Sequence, residues 1–188
     1  IVVREIDALG GEMGHNADKT HLQIKMLNVK KGPGVRSLRA QGCKVEYPKE
    51  MLNTLKNQEN LTLLEDQAKE LIVNDKKCEG IISESGERIT SKTVILTTGT
   101  YLNSDILCAH NSYKGGPHGE KNSMFLSDSL AKNGIKIIRL KTGTPQRIDK
   151  KTVDFTKLKE ELGDNTYWTF NIENEIFYNK ENQEKCYL

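Results

Sequence analysis

The residues best suited to hold a ligand stand at the end of an apolar run. In "TVILTTGTYL", residues 93–102, Val94-Ile95-Leu96 gives way at once to Thr97, Thr98, Gly99 and Thr100. Ligands of open α/β sheets sit at the carboxyl ends of strands, where backbone N–H groups and short side chains can approach phosphate. A glycine there removes the Cβ that would hold a ligand off. Taken alone, such an ending is also an ordinary strand-ending turn. A second stretch, "RLKTGTPQRI" (139–148), dies into Thr-Gly-Thr-Pro in the same way, with Arg139, Lys141 and Arg147 beside it. Two such endings can line one edge of a sheet.

A different chemistry is offered by "KKGPGVRSLRAQ" (30–41), where Lys30, Lys31, Arg36 and Arg39 surround Gly32 and Gly34. The segment predicts a glycine turn running into a helix, and a helix N-terminus with flanking cations is an anion site. On a helix, Arg36 and Arg39 would share one face. A solvated, salt-bridged helix face is the competing reading. The stretch is not a full dinucleotide fingerprint, because Ser37 holds the third glycine position and Pro33 sits inside the turn. Nor is it a P-loop, since no Gly-Lys-Ser/Thr follows. The glycine-rich "KGGPHGEKNS" (114–123) reads as a mobile loop able to close over a ligand, with His118 as an exposed loop residue. Cys43, Cys78, Cys108 and Cys186 are widely spaced, as are the histidines. That spacing argues against zinc and for free thiols in a reducing compartment.

These groups must be positioned by a chain of 188 residues, enough for one sizeable core or one core with a smaller appendage. Charged residues make up 29% at a net charge of +2. This balance argues against an acidic tail or a histone-like protein and leaves room for a local basic face. No apolar run reaches bilayer length, and the opening "IVVREIDALGG" does not resemble a signal peptide. The chain begins at Ile1, inside an element, and so reads as a piece of something longer.

Periodicity predicts a helix over residues 1–9 from Ile1, Val2, Ile6 and Leu9, stopped by Gly10-Gly11. It predicts a strand at 21–27, and a helix from the glycine turn on through Met51, Leu52 and Leu55, broken near Tyr47 by Pro48. Four short strands follow at 61–65, 70–75, 78–83 and 92–98, the middle two as a hairpin. A loop over 103–122, a serine-capped helix at 127–134 ended by Gly134, and a strand at 135–140 complete the main body. Beyond residue 145 the composition turns to Asn, Glu, Lys and aromatics. A "DFTKLKEELGDN" helix is expected there, with strand-like pieces at 168–170 and 176–178. The order of elements points to a mixed α/β fold.

Taken together, "EIDALGGEMG", "KMLNVKKGPGVRSLRAQ", "VILTTGTYL", "RLKTGTP" followed by "RI", and "DFTKL" resemble the MnmG/GidA family. The match runs in order over nearly the whole chain and is strongest in 5–41 and 93–148. The resemblance implies a flavin-dependent enzyme that adds a carboxymethylaminomethyl group to the wobble uridine of tRNA. It implies FAD, NADH and a folate-derived methylene, a GTPase partner of the MnmE family, a homodimer and a cytoplasmic location with no membrane association.

The implied architecture is a fragment of a Rossmann-like FAD-binding domain with a β-meander over 1–144, followed from 145 to 188 by the start of an inserted α+β lobe. By the same resemblance, Lys69 (through its backbone), Thr98, Gly99, Thr100 and Ser123 fall at FAD-contacting positions. Lys31, Arg36, Arg39, Lys141 and Arg147 are candidates for flavin phosphate or tRNA backbone. The family's G-x-G-x-x-G fingerprint, its catalytic cysteines and its C-terminal tRNA-binding region are not in this sequence, so the chain alone is expected to be inactive. The alternative is a non-catalytic RNA- or phosphate-binding module.

Overall fold

The computed structural model describes residues 2–188, so Ile1, the first position of the expected N-terminal helix, lies outside it. The chain falls into two compact units, Ile1–Leu63 with Gln146–Leu188, and Leu64–Pro145. It is a mixed α/β structure whose sheets are small and antiparallel.

The first unit opens with helices α1 (Val2–Ala8) and α2 (Met13–Thr20), which run into strand β1 (His21–Leu27). The segment expected to be helical after the glycine turn is instead a 3-10 turn at Pro33–Val35 and a strand, β2 (Ser37–Gly42), antiparallel to β1. Leu38 and Ala40 alternate with the exposed Arg39 and Gln41, a period of two that suits a half-buried strand. Pairing with β1 outweighs helical propensity, and Arg39 lies opposite Lys25.

Helix α3 (Glu46–Lys56) then runs straight through Pro48. The proline falls in the first turn, where backbone N–H groups have no intrahelical partner, so it neither breaks nor kinks the helix.

Residues 146–188 do not stand apart from the N-terminal segment. They seal the edge of β1 that β2 leaves open. Asp164 N–H donates to Ile24 O (3.1 Å) and Glu184 N–H to Leu22 O (2.8 Å). Ile24 N–H donates to Gln183 Oε1 (2.7 Å) and Met26 N–H to Asp164 Oδ2 (2.8 Å). Gln23, buried, donates to Glu161 O and Glu184 O. An edge strand must have its donors and acceptors satisfied or covered, and here loops do it.

Deeper in this unit the buried Asp18 carboxylate accepts from Phe170 N–H, Asn171 N–H and Asn171 Nδ2. The expected "DFTKLKEELGDN" helix is a 3-10 turn at Phe155–Lys157 followed by a two-residue strand paired near the C-terminus. Asp154 accepts from Thr156 N–H and Oγ1, closing a local turn that competes with a helix. Residues 168–170 and 176–178 form no strand.

The second unit is built on a three-stranded meander of β3 (Ala68–Asn74), β4 (Lys77–Ser83) and β5 (Arg88–Thr90). The expected hairpin is β3–β4. Gly80, in the middle of β4, has φ +145°, and a Cβ there would lie 2.0 Å from Ile89 O. Only glycine lets β5 close on this strand. Helix α4 (Leu126–Lys132) packs on β3 through the buried Leu126 and Leu130, and Ser129 Oγ accepts from Leu71 N–H. Its N-cap is Phe125 rather than a serine, while Gly134 at φ +84° ends it as expected.

The loop expected over 103–122 contains a hairpin, β6 (Asp105–Cys108) and β7 (Asn111–Lys114). Residues 61–65, 92–98 and 135–140, all expected as strands, form none. Ile95 and Leu140 are 85% and 84% exposed. An apolar extended segment becomes a strand only when another backbone pairs with it. Among the described residues no ladder partner lies beside these three.

Candidate functional site

The Thr98-Gly99-Thr100 turn is held by its own backbone and by a segment more than twenty residues away. Tyr101 N–H donates to Thr98 O (3.3 Å), which folds the chain back directly after Gly99. Ser123 N–H then donates to Tyr101 O (2.9 Å), and Asn103 N–H donates to Ser123 O (2.6 Å). Together these form a parallel bridge between Leu102 and Ser123, the one parallel pairing among the described residues. The half-buried Ser123 is thus carried to the Thr98–Thr100 turn.

Gly99 sits at φ +57°, in the left-handed region, and a Cβ there would meet only the Tyr101 ring, at 3.6 Å. Its peptide face is otherwise open, which is what close approach of a ligand to backbone requires.

Lys69 lies on the same unit. The β3–β4 register shifts between Ala68 and Glu70, so Lys69 occupies a bulge. A bulge takes a residue out of the regular ladder and turns its backbone away from the partner strand. The exposed Lys69 ammonium sits 5.4 Å over the ring of Phe125, two residues past Ser123. All five flavin-side candidates belong to one unit; backbone bonds join the Thr98 turn to Ser123 through Tyr101, and Lys69 reaches Phe125.

Arg139 ties in the second Thr-Gly stretch. Its Nη1 donates to Asn103 O (2.8 Å) and lies 3.4 Å from Asp105 Oδ2, while Lys114 Nζ is 3.0 Å from Asp105 Oδ1. The start of "RLKTGTP" is so fastened to the end of "TTGTYLN". These pairs are solvent-exposed, and each contributes about 0–1 kcal/mol. Their role is geometric more than energetic.

The basic candidates are divided between the two units. Lys31, Arg36 and Arg39 belong to the first unit and Lys141 to the second; Arg147, like Lys141, is exposed in irregular structure. With no helix after Gly34, the helix-terminus anion site and the shared helical face of Arg36 and Arg39 do not form. Arg36 turns back instead, its Nη2 donating to Val29 O at 3.2 Å. Arg39 lines an apolar groove of about 590 Å³ with Val2, Met13, Leu38, Tyr47 and Phe170. The groove belongs to the first unit and the five flavin-side candidates to the second.

Sequence reasoning passed over Tyr101 and Glu120. Tyr101 Oη donates to Glu120 Oε2 at 2.5 Å, and that carboxylate pushes the phenol pKa above its usual range. Tyr101 directly follows Thr-Gly-Thr, a position that marks it. Its partner, nineteen residues on, is legible only in the fold.

The family model described as "Glucose inhibited division protein A" matches residues 1–188. The chain belongs to the GidA family. A relative from Geobacillus thermodenitrificans, named "tRNA uridine 5-carboxymethylaminomethyl modification enzyme MnmG", is 49% identical over 173 residues. The alignment covers 92% of this chain and 28% of that relative. A Bacillus subtilis protein of the same name is also 49% identical, with the same coverage.

Among solved structures, Aquifex aeolicus GidA in its form I crystal superposes with a TM-score of 0.88 at 39% identity. That superposition covers 99% of this chain and 32% of the other. The form II crystal gives 0.87 at 40% identity. The chain spans less than a third of the length of these GidA relatives. No helix among the described residues is long and apolar enough to cross a membrane.

Proposed function

We propose that this chain is part of a flavin-dependent enzyme that adds a carboxymethylaminomethyl group to the wobble uridine of tRNA. In this reading residues 1–144 contribute to a Rossmann-like FAD-binding domain, and residues 145–188 begin an inserted lobe. Thr98, Gly99 and Thr100 bring backbone up to FAD, Ser123 flanks them, and Lys69 meets the adenine side through its main chain. Bound flavin supplies the redox chemistry, with NADH as reductant and a folate-derived methylene as the carbon source. The residues of this chain would bind the cofactor and keep water from that edge.

The observation that carries the reading is the open, left-handed Gly99 turn bridged to Ser123, in a chain that matches the GidA model along its whole length. Lys31, Arg36, Arg39, Lys141 and Arg147 are assigned to phosphate, of flavin or of tRNA. The whole protein would act in the cytoplasm as a homodimer with a GTPase partner of the MnmE family. The chain by itself would be inactive.

The test is an FAD titration of the protein extended to the length of its relatives, beside its Gly99→Val variant. A β-branched residue at φ +57° is strained, and its Cβ meets the Tyr101 ring. Gly99→Val is expected to abolish FAD binding while exchange protection of the β3–β4 hairpin is unchanged. Equal FAD affinity in the two proteins would remove Gly99 from the site.

A further inference from the structure

The Tyr101 side chain adds a second contact between two glycine-bearing segments that the backbone already bridges at Leu102 and Ser123. On one side its ring faces Gly99, and on the other it lies so close to Gly116 that a Cβ there would come within 2.7 Å of Cδ1 and Cε1. Gly116 N–H donates to Glu120 O (2.7 Å), closing a tight turn over residues 116–120. The carboxylate of Glu120 at the end of that turn receives the Tyr101 hydroxyl at 2.5 Å. The loop is also fastened at its two ends. Ser104 Oγ donates to Gly115 O (2.7 Å) and Asn122 Nδ2 to Ser104 O (2.8 Å). The phenol adds a fastening at Glu120, in the middle of the loop.

We propose that Tyr101 and Glu120 form a clamp that fixes the 114–123 loop against the Thr98–Thr100 turn and so positions Ser123 and Gly99 for the flavin. The inference rests on the function proposed above and adds positioning residues to it. The clamp has two separable parts. The ring requires glycine at 116, because any side chain there would displace it. The hydroxyl requires an acceptor at 120 within reach. Glu120→Gln keeps an acceptor oxygen at that reach, whereas Glu120→Leu keeps bulk without one. Tyr101→Phe keeps the ring and loses only the hydroxyl.

The experiment has two readouts. Hydrogen–deuterium exchange of this chain, without flavin, reports the loop directly. Tyr101→Phe and Glu120→Leu are expected to speed exchange of residues 116–121 roughly three- to tenfold, the discounted effect of one exposed hydrogen bond to a carboxylate. Glu120→Gln should restore protection, and the β3–β4 hairpin should be unchanged in all variants. An FAD titration of the protein extended to its relatives' length then reads the consequence, with Tyr101→Phe and Glu120→Leu weakened by a similar factor and Glu120→Gln close to the parent.

Loop exchange that is the same in Tyr101→Phe and the parent would overturn the clamp. So would faster exchange with unaltered FAD affinity, because the loop would then not shape the flavin edge. If the parent itself fails to bind FAD, the proposed function falls and the inference falls with it.

Discussion

Replacing Asp18 by alanine tests how the first unit is held together. The Asp18 side chain is fully buried near the end of α2, and its carboxylate has no ion-pair partner among the described residues. It accepts instead from Phe170 N–H (2.9 and 2.8 Å to the two oxygens), Asn171 N–H (2.8 Å) and Asn171 Nδ2 (2.8 Å). A hydrogen bond to a charged group contributes about 1.5–3 kcal/mol, and a buried donor left without a partner costs about 1–3 kcal/mol. Three donors lose their acceptor together, offset by relief of the carboxylate's own desolvation, so the net loss for Asp18→Ala is about 3–5 kcal/mol. That is a large share of the roughly 5–15 kcal/mol a domain has in total. Asp18→Asn keeps one acceptor oxygen but turns an NH₂ toward N–H donors, and should lose less, about 2–3 kcal/mol.

The assay is urea unfolding followed by the fluorescence of Trp168, the single tryptophan, two residues from Phe170. Its indole N–H donates to Asp164 at 2.9 Å, so it reports the docked state of the same segment. If Asp18→Ala unfolds within about 1 kcal/mol of the parent, the carboxylate is not what docks residues 169–171.

Two further predictions concern charge. Asp66 accepts from Ser85 Oγ and Gln67 N–H, with Ser83 behind Ser85, and these bonds lower its pKa from 3.8 to about 2. The folded state therefore binds this proton less readily than the unfolded one. The stabilisation is complete above pH 3.8 and lost as pH falls toward 2. Ser85→Ala should raise the carboxyl NMR titration midpoint toward the usual range, and an unmoved midpoint would show that Ser85 is not the cause. For the basic candidates, changing Lys31, Arg36 and Arg39 together to glutamine in the full-length protein should flatten the dependence of log K for tRNA on log salt by about 2–3. An unchanged slope would place the phosphate contacts elsewhere.

Much of the secondary structure was legible where the signal is local. The alternation of Leu22, Ile24 and Met26 marks β1, and the Asn-Asp-Lys turn marks the β3–β4 hairpin. The Thr-Gly-Thr turn was legible as the small-residue end of an apolar run, and Ser123 only through resemblance to a family. The errors share a cause. Ser37–Gly42 carries a helix-compatible composition and a strand's alternation, and the presence of β1 beside it decided the outcome. Pro48 breaks a helix only in its interior, and the start of α3 at Glu46 leaves no local mark in the sequence.

By itself, then, the amino-acid sequence determined the family, the glycine positions that turns require, and the strands and helices whose period is unambiguous. Tertiary structure decided which extended segments became strands, because a strand exists only when a second backbone satisfies its N–H and C=O groups. Residues 92–98 and 135–140 have the composition and no such partner here, while residues 37–42 found one. Contacts such as Asp18 with Phe170, 152 residues apart, or Tyr101 with Glu120 leave no local pattern. They depend on the fold bringing donor and acceptor within 3 Å, which no spacing in the chain encodes.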